Sequence, residues 1–393
     1  MRHVDIAPDF LAILRSPQNG RELAYDGQGV LSDGETLWPC IDGIPYLRRG
    51  RESLRRAAVE ALNVGAVHKA LALLLRDRKD TSIPPVPQDM ARQVARGAAS
   101  AREAMESLHY GGLRWYLQHR WCEPSFLSGL ALLETHAPRG ATLLDLACGS
   151  GQYLRAWQQA DETVTVIGAD IVYSHLWIAR RFVAPSAWLV CFDADGPFPL
   201  ADGVAGVALA QDAFHYFADK WHVVDQMRRV TQAGTLLLGH VHNAAQPNYS
   251  AGQPLDVDEY IALIQPSTVY DDDVLTRFAL MDAAAHPATT QEARASAALA
   301  FSTGPVRDDS IRVTLPPDGT SLELNPLLAS GRPVWPSAKF EAEFVGPWQY
   351  LRTMTAPESS VLDRALSGAL GTDPEVDGYA RHRVLLDLPG RWL

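Results

Sequence analysis

The sequence predicts an α/β protein whose central part is a doubly wound, mostly parallel sheet, and three observations carry that prediction. "LLDLACGSGQYL" (143 to 154) reads as a buried strand that breaks into glycines and restarts as a helix. Apolar runs ending in acidic residues then recur at the spacing of successive parallel strands. Between the later runs lies "ADKWHVVDQMRRVTQ" (218 to 232), which has helical rather than alternating periodicity.

The first strand leads through Asp145 into Gly149 and Gly151, which let the backbone turn tightly and approach a ligand where a Cβ would clash. A strand, a Gly-rich turn and a helix start present backbone N–H groups to a nucleotide-like ligand. The third glycine of the dinucleotide fingerprint would fall at Leu154, so the NAD reading is incomplete. "TVTVIGAD" (163 to 170) is the second strand and ends in Asp170, on the order of 20 residues past the glycines, where an acid can bind both ribose hydroxyls. "AWLVCFDAD" (187 to 195) supplies a third strand with Asp193 and Asp195, "VAGVALAQDAFHYF" (204 to 217) a fourth, and "GTLLLGHVHN" (234 to 243) a fifth.

With these motifs in order, residues 141 to 243 resemble class I S-adenosylmethionine-dependent methyltransferases of the small-molecule type. The resemblance implies a Rossmann-like core with S-adenosyl-L-methionine as cofactor. It places Asp145, Ala147, Gly149 and Gly151 at the turn holding the methionine part, Asp170 on the ribose, and Asp193 with the backbone of Ala194 at the adenine edge. Ile171 and Gln211 belong to the same expected set of cofactor contacts. Two features depart from the family pattern: Cys148 stands where a small residue is common, and "TQAGT" (231 to 235) replaces the Lys-Pro-Gly-Gly turn before the fifth strand.

Around this core (136–245) the sequence divides into a small β-rich module (1–50), a helical connector and cofactor lid (51–135), and a C-terminal α+β region for acceptor binding or dimerisation (246–393). Residues 9 to 48 contain short β runs punctuated by Gly, Asn and Asp; "LRSPQNGREL" and the "DGIP" ending resemble the small zinc-ribbon-like activator domain of tRNA and protein methyltransferases. Where the metal-binding form has Cys-Pro-x-Cys, this chain has Ser16, Pro17, Gln18 and Asn19, so the module is expected to be metal-free, with Cys40 a core residue. No metal site is expected elsewhere. The "DDD" at 271 to 273 reads as a helix start.

Residues 51 to 78 and 89 to 109 have helical spacing around the turn "SIPPVPQ". The aromatic-rich stretch 109 to 134 offers Tyr110, Trp115, Tyr116, Arg120 and Trp121 as cover for the methionine end, with Arg120 the candidate for its carboxylate. Beyond 243, helix-like pieces are expected at 257–265, 271–285 and 290–301, then β-like runs at 310–315 and 320–328 and a final segment, 335–352.

At 393 residues the chain predicts two or three domains. A formal charge of −11 argues against a nucleic-acid grip, and the basic run of 48 to 80 reads as a solvated helix face. Four dispersed cysteines and the lack of an apolar leader predict a cytoplasmic protein, and "VGAVHKALALLL" (64 to 75) is too short to span a bilayer. The expected partner is a small-molecule acceptor, with a homodimer as a further option.

Methyl transfer requires donor and acceptor to be held in line, and a base where the acceptor carries a proton. The candidates stand beyond the fourth and fifth strands: His215 first, with Asp212, Tyr216, His240 and His242 beside it. A cofactor-binding scaffold without turnover, and an enzyme using NAD or a non-methyl reaction of the sulfonium, are the alternatives.

Overall fold

The computed structural model describes residues 5–232, 234–247, 252–281, 284–309, 311–344 and 350–393. At its centre β5 (Leu143–Leu146), β6 (Val166–Asp170), β7 (Trp188–Cys191), β8 (Val207–Gln211) and β9 (Thr235–His242) pair in parallel in the order β7-β6-β5-β8-β9. β11 (Ala298–Ser302) joins β9 antiparallel, and β10 (Thr268–Asp271) joins β11, completing seven strands. Successive residues point to opposite faces: Leu143, Val207 and Leu209 enter one apolar layer, while Leu144, Ala208 and Ala210 enter the other. Both faces are therefore buried, which is why these strands read as continuous apolar runs.

Helices cover the two faces. α8 (Gln152–Ala160) and α9 (Tyr173–Ile178) are the crossovers after β5 and β6, and α10 (Lys220–Thr231) precedes β9. Leu154, which replaces the third fingerprint glycine, packs where Gly168 of β6 leaves room: a Cβ on Gly168 would lie 2.6 Å from Leu154 Cδ1 and 2.8 Å from Leu189 Cδ2. The close helix–strand approach thus has its glycine on the strand instead of the helix.

The N-terminal module contains α1 (Pro8–Ile13) and an antiparallel sheet of β1 (Ala24–Tyr25), β2 (Val30–Ser32), β3 (Leu37–Ile41) and β4 (Ile44–Pro45). It docks on the β7 edge of the large sheet: the Leu47 amide donates to Cys191 O at 2.8 Å, and Phe10 stacks on Trp188. In the zinc-knuckle position, the Ser16 hydroxyl donates to the Asp33 carboxylate, and Cys40 is buried.

The connector comprises α2 (Glu52–Asn63), α3 (Val67–Leu74), α4 (Gln88–Arg96), α5 (Ala101–Ser107), α6 (Leu113–His119) and α7 (Pro124–His136). α7 is buried on nearly every side between the sheet and later helices. Further on lie α11 (Val257–Ile264), α12 (Asp272–Met281) and α13 (Thr290–Ala295).

Here the structure corrects several expectations. The Ala-rich stretch 290–301 is helix only to Ala295; Ser296 ends it and "ALAFS" becomes β11, because its apolar side chains complete the sheet beside β9. The piece expected from 271 begins at Asp272 and follows a strand; its residues 282–283 lie outside the described residues. Residues 311–315 form no strand, and of 320–328 only Glu323–Leu324 (β12) pairs, with β13 (Leu385–Leu386). Segment 335–352 contains α14 (Ala338–Ala342), with 345–349 outside the described residues. α15 (Ser359–Leu366) and α16 (Pro374–Arg381) complete the C-terminal region. Its end returns to the connector: Trp392 Nε1 donates to Gln118 O at 3.0 Å, and the carbonyls of Arg391 and Trp392 accept the amides of Ala101 and Arg102 at the start of α5. Among the described residues no helix is long and apolar enough to cross a membrane.

Candidate functional site

The strand order reverses between β5 and β8, and ligands of such sheets sit in the crevice beyond the strand ends at that point. A pocket lies there. β5 ends in a turn where Ala147, Gly149 and Gly151 have φ of 61°, 54° and 86°, so three residues of five adopt left-handed backbone before α8 starts. Asp170 fixes this turn, its Oδ2 accepting the Gly149 amide at 2.9 Å and its Oδ1 the Val172 amide at 2.7 Å. His175 Nδ1 stands 3.4 Å from the same Oδ1.

Asp145, Ala147, Gly149, Asp170, Ile171, Asp193, Ala194, Gln211, Asp212, Tyr116, Arg120 and Tyr216 all line this pocket. Asp193 and Ala194 lie beyond the end of β7, in the loop, and not within the longer strand that the sequence predicts. Gln211 turns its amide away, donating to Ser125 O at 2.8 Å and to Ser128 Oγ at 3.2 Å. Gly151 serves as the N-cap of α8 without lining the pocket; an added Cβ would meet Ala179 at 3.1 Å.

Two buried ionisable groups, Asp145 and Arg120, interact inside. Asp145 is buried, its Oδ2 has no partner, and burial, only partly offset by Arg120, pushes its carboxyl well above the usual range. Arg120 is buried too; burial opposes its charge, but Tyr153, Asp212 and Glu123 outweigh that and hold its pKa above the ordinary value. Its Nη1 reaches the Tyr116 hydroxyl, Glu123 Oε2 at 3.3 Å and Asp212 Oδ2 at 3.4 Å.

Other candidates stand elsewhere. The Tyr110 hydroxyl bonds Ser174 Oγ at 2.7 Å, within the connector packing and outside the pocket lining, and Trp121 packs on Trp392. Trp115 stacks on His119 and also lies outside that lining. His215 does not line it either: its ring is fully buried, and burial together with His242 lowers its pKa to about 3. A base of that strength is a poor proton acceptor at neutral pH. His240 sits at φ 48° at the end of β9, with Nδ1 2.8 Å from Asp272 Oδ2; burial opposes its charge, but Asp272 raises its pKa to about 9. It is therefore a cation at neutral pH, and Asp272, read from sequence as part of a helix start, is its buried counter-ion.

The sequence missed Lys79, Gln152, Tyr153 and His175 as lining residues. Lys79 comes from the basic run read as a solvated face, and its Nζ lies 4.6 Å from the centre of the Tyr216 ring. His175 had a usable signal, five residues after Asp170 in the first turn of the following helix.

Residues 144–238 match the methyltransferase-domain family model. This stretch is a methyltransferase domain. The chain is 47% identical over 51 residues, 13% of its length and 19% of the other, to the dTDP-3-amino-3,6-dideoxy-α-D-glucopyranose N,N-dimethyltransferase of Streptomyces fradiae. The chain is 29% identical over 108 residues, 27% of its length and 39% of the other, to an uncharacterized methyltransferase of Mycobacterium leprae. The chain thus spans well under half the length of these curated relatives. A solved complex of the Haloferax volcanii Trm112 methyltransferase activator with a methyltransferase matches with a TM-score of 0.37 and 17% identity, over 53% of this chain and 99% of that one.

The cofactor of the methyltransferase domain is S-adenosylmethionine. Its residues fit that group. The orphaned Asp145 Oδ2 awaits a donor of the kind an amino group provides, and the open space where Gly149 lacks a Cβ is bounded only by Leu117 at 3.8 Å. Asp170, at the end of β6, and Asp193, just past β7, both line the pocket.

Proposed function

We propose that the protein is a small-molecule methyltransferase, and the observation that carries this reading is one pocket with two chemically distinct ends. One end has Asp145, the Gly149 turn, Asp170 and Asp193; the other has Asp212, Tyr116 and Tyr216. Bound at the first end, S-adenosylmethionine supplies a methyl group activated on a sulfonium sulfur. Asp145 holds the amino group and Arg120 the carboxylate of the methionine part, Asp170 accepts from the ribose hydroxyls, and Asp193 with Ala194 meets the adenine edge. Asp212 orients the O–H or N–H of the acceptor at the second end.

The acceptor is a small molecule, a choice supported by the short match to a sugar N,N-dimethyltransferase. The net charge of −11 supports the absence of a nucleic-acid substrate. Within this reading the region after 246 acts on the acceptor side from behind the lining, since Asp272 and Glu343 act electrostatically on His240.

The test is release of S-adenosylhomocysteine from S-adenosylmethionine in the presence of amino sugars, sugar hydroxyls and phenols. Turnover with one class identifies the acceptor chemistry; tight cofactor binding with no turnover on any of them would favour the scaffold reading.

A further inference from the structure

Beyond the acceptor end lies a side-chain cluster that methyl-donor binding does not use. The imidazole of His215 is fully buried, and neither ring nitrogen meets a partner among the described residues. Buried polar nitrogens are nearly always paired, because desolvation is otherwise uncompensated. The ring stacks on His242, with centroids 4.1 Å apart and planes 9° apart. One ligand atom from each of Asp212, His215 and His242 lies within 4.8 Å of the other two. Tyr116 and Arg120 both engage Asp212 through Oδ2, which leaves Oδ1 for another partner.

The backbone holds these three groups together. β8 ends at Gln211, Asp212 turns the chain at φ 54°, and the short helical turn Phe214–Tyr216 brings His215 back over the end of β9, where His242 stands. The amide of Gln253 closes on His215 O at 2.7 Å and fixes that turn. Two imidazoles and a carboxylate are a donor set for a divalent transition ion, whose ligand distances of about 2.0–2.2 Å require the stacked rings to turn out of their parallel arrangement.

We propose that Asp212, His215 and His242 bind a divalent transition-metal ion of the zinc class beside the acceptor end of the pocket. Three protein ligands leave coordination positions open, and Asp212 is the ligand that lines the pocket, so the open side is the acceptor side. Resting on the methyl-transfer reading, the acceptor is then a molecule whose hydroxyl or amine joins the ion as a further ligand. The ion acidifies that group, the task that sequence reasoning gave to a histidine base. Contiguous ligand spacing was absent, so the sequence pointed to a metal-free chain; the three ligands come from two separate strand ends.

The test is titration of the full chain with Co²⁺ and with Zn²⁺, followed by calorimetry and, for Co²⁺, by visible absorption. One ion per chain is expected, with affinity reduced more than about tenfold, the scale of removing even a supporting group from a metal site, in His215→Ala and in Asp212→Asn. Binding of S-adenosylhomocysteine to His215→Ala checks its fold, and His242→Gln replaces it where that check fails. No stoichiometric binding, or variants that bind the ion as the parent does, overturns the proposal. A parent chain that binds the ion but not S-adenosylhomocysteine overturns the methyl-transfer reading and leaves the metal site standing.

Discussion

Asp145 carries an unpaired carboxylate oxygen in a buried wall, a costly arrangement unless a ligand completes it. Because burial holds its carboxyl above the usual range, an amino group brought against it favours the ionised form and expels a proton. Affinity for S-adenosylhomocysteine is expected to climb with pH until the free carboxyl is already ionised, then level off. Calorimetry in buffers of different ionisation heat reads the released proton, and Asp145→Asn should abolish both the release and the pH dependence. Asp170 holds the Gly149 and Val172 amides and, on the proposed reading, the ribose as well, so Asp170→Ala is expected to weaken cofactor binding by about 1.5–3 kcal/mol, and unchanged affinity would remove it from the site. These acids were legible because each sits at or just past a strand end next to a glycine turn. The environment of His215 was not, since its burial depends on Gly252 and His242, which lie far along the chain.

Among elements, the approach of α8 to β6 turns on a single missing methyl. Gly168→Ala would press a Cβ to 2.6 Å from Leu154, 2.8 Å from Leu189 and 3.0 Å from Cys148 Sγ. Overpacking of this kind is expected to cost about 1–3 kcal/mol, measured as a lower urea midpoint at unchanged slope. A Gly168→Ala chain as stable as the parent would show that the helix shifts freely. The sequence signalled β6 as a strand but gave no reason for its glycine; the reason is Leu154, on another element. The same limit explains 290–301, where alanine content favours a helix and only the free edge of β9 turns four of those residues into a strand. The five parallel strands were legible because burial on both faces writes itself as apolar runs, whereas the C-terminal pairings are two residues long and leave almost no pattern.

At the scale of the molecule, residues remote in sequence support the wall of the pocket from behind. Trp392 is buried against Trp121 and bonded to Gln118, next to Tyr116, Leu117 and Arg120 of the pocket lining. Trp392→Ala is expected to lower stability by about 3–5 kcal/mol and to weaken S-adenosylhomocysteine binding as well, because α5 and α6 lose their support. Lower stability with unchanged affinity would separate the two. This feature also sets a clock on synthesis. Gln118 and Trp392 are 274 positions apart, and at about 5–20 residues per second the ribosome takes on the order of tens of seconds to deliver the tryptophan after the glutamine has been made. Once β11 is complete at Ser302 the sheet has its strands, yet until Trp392 arrives the α6 side of the pocket has an open seam of apolar surface, so for the last part of that interval the nascent chain is exposed to chaperones and proteases beside the pocket.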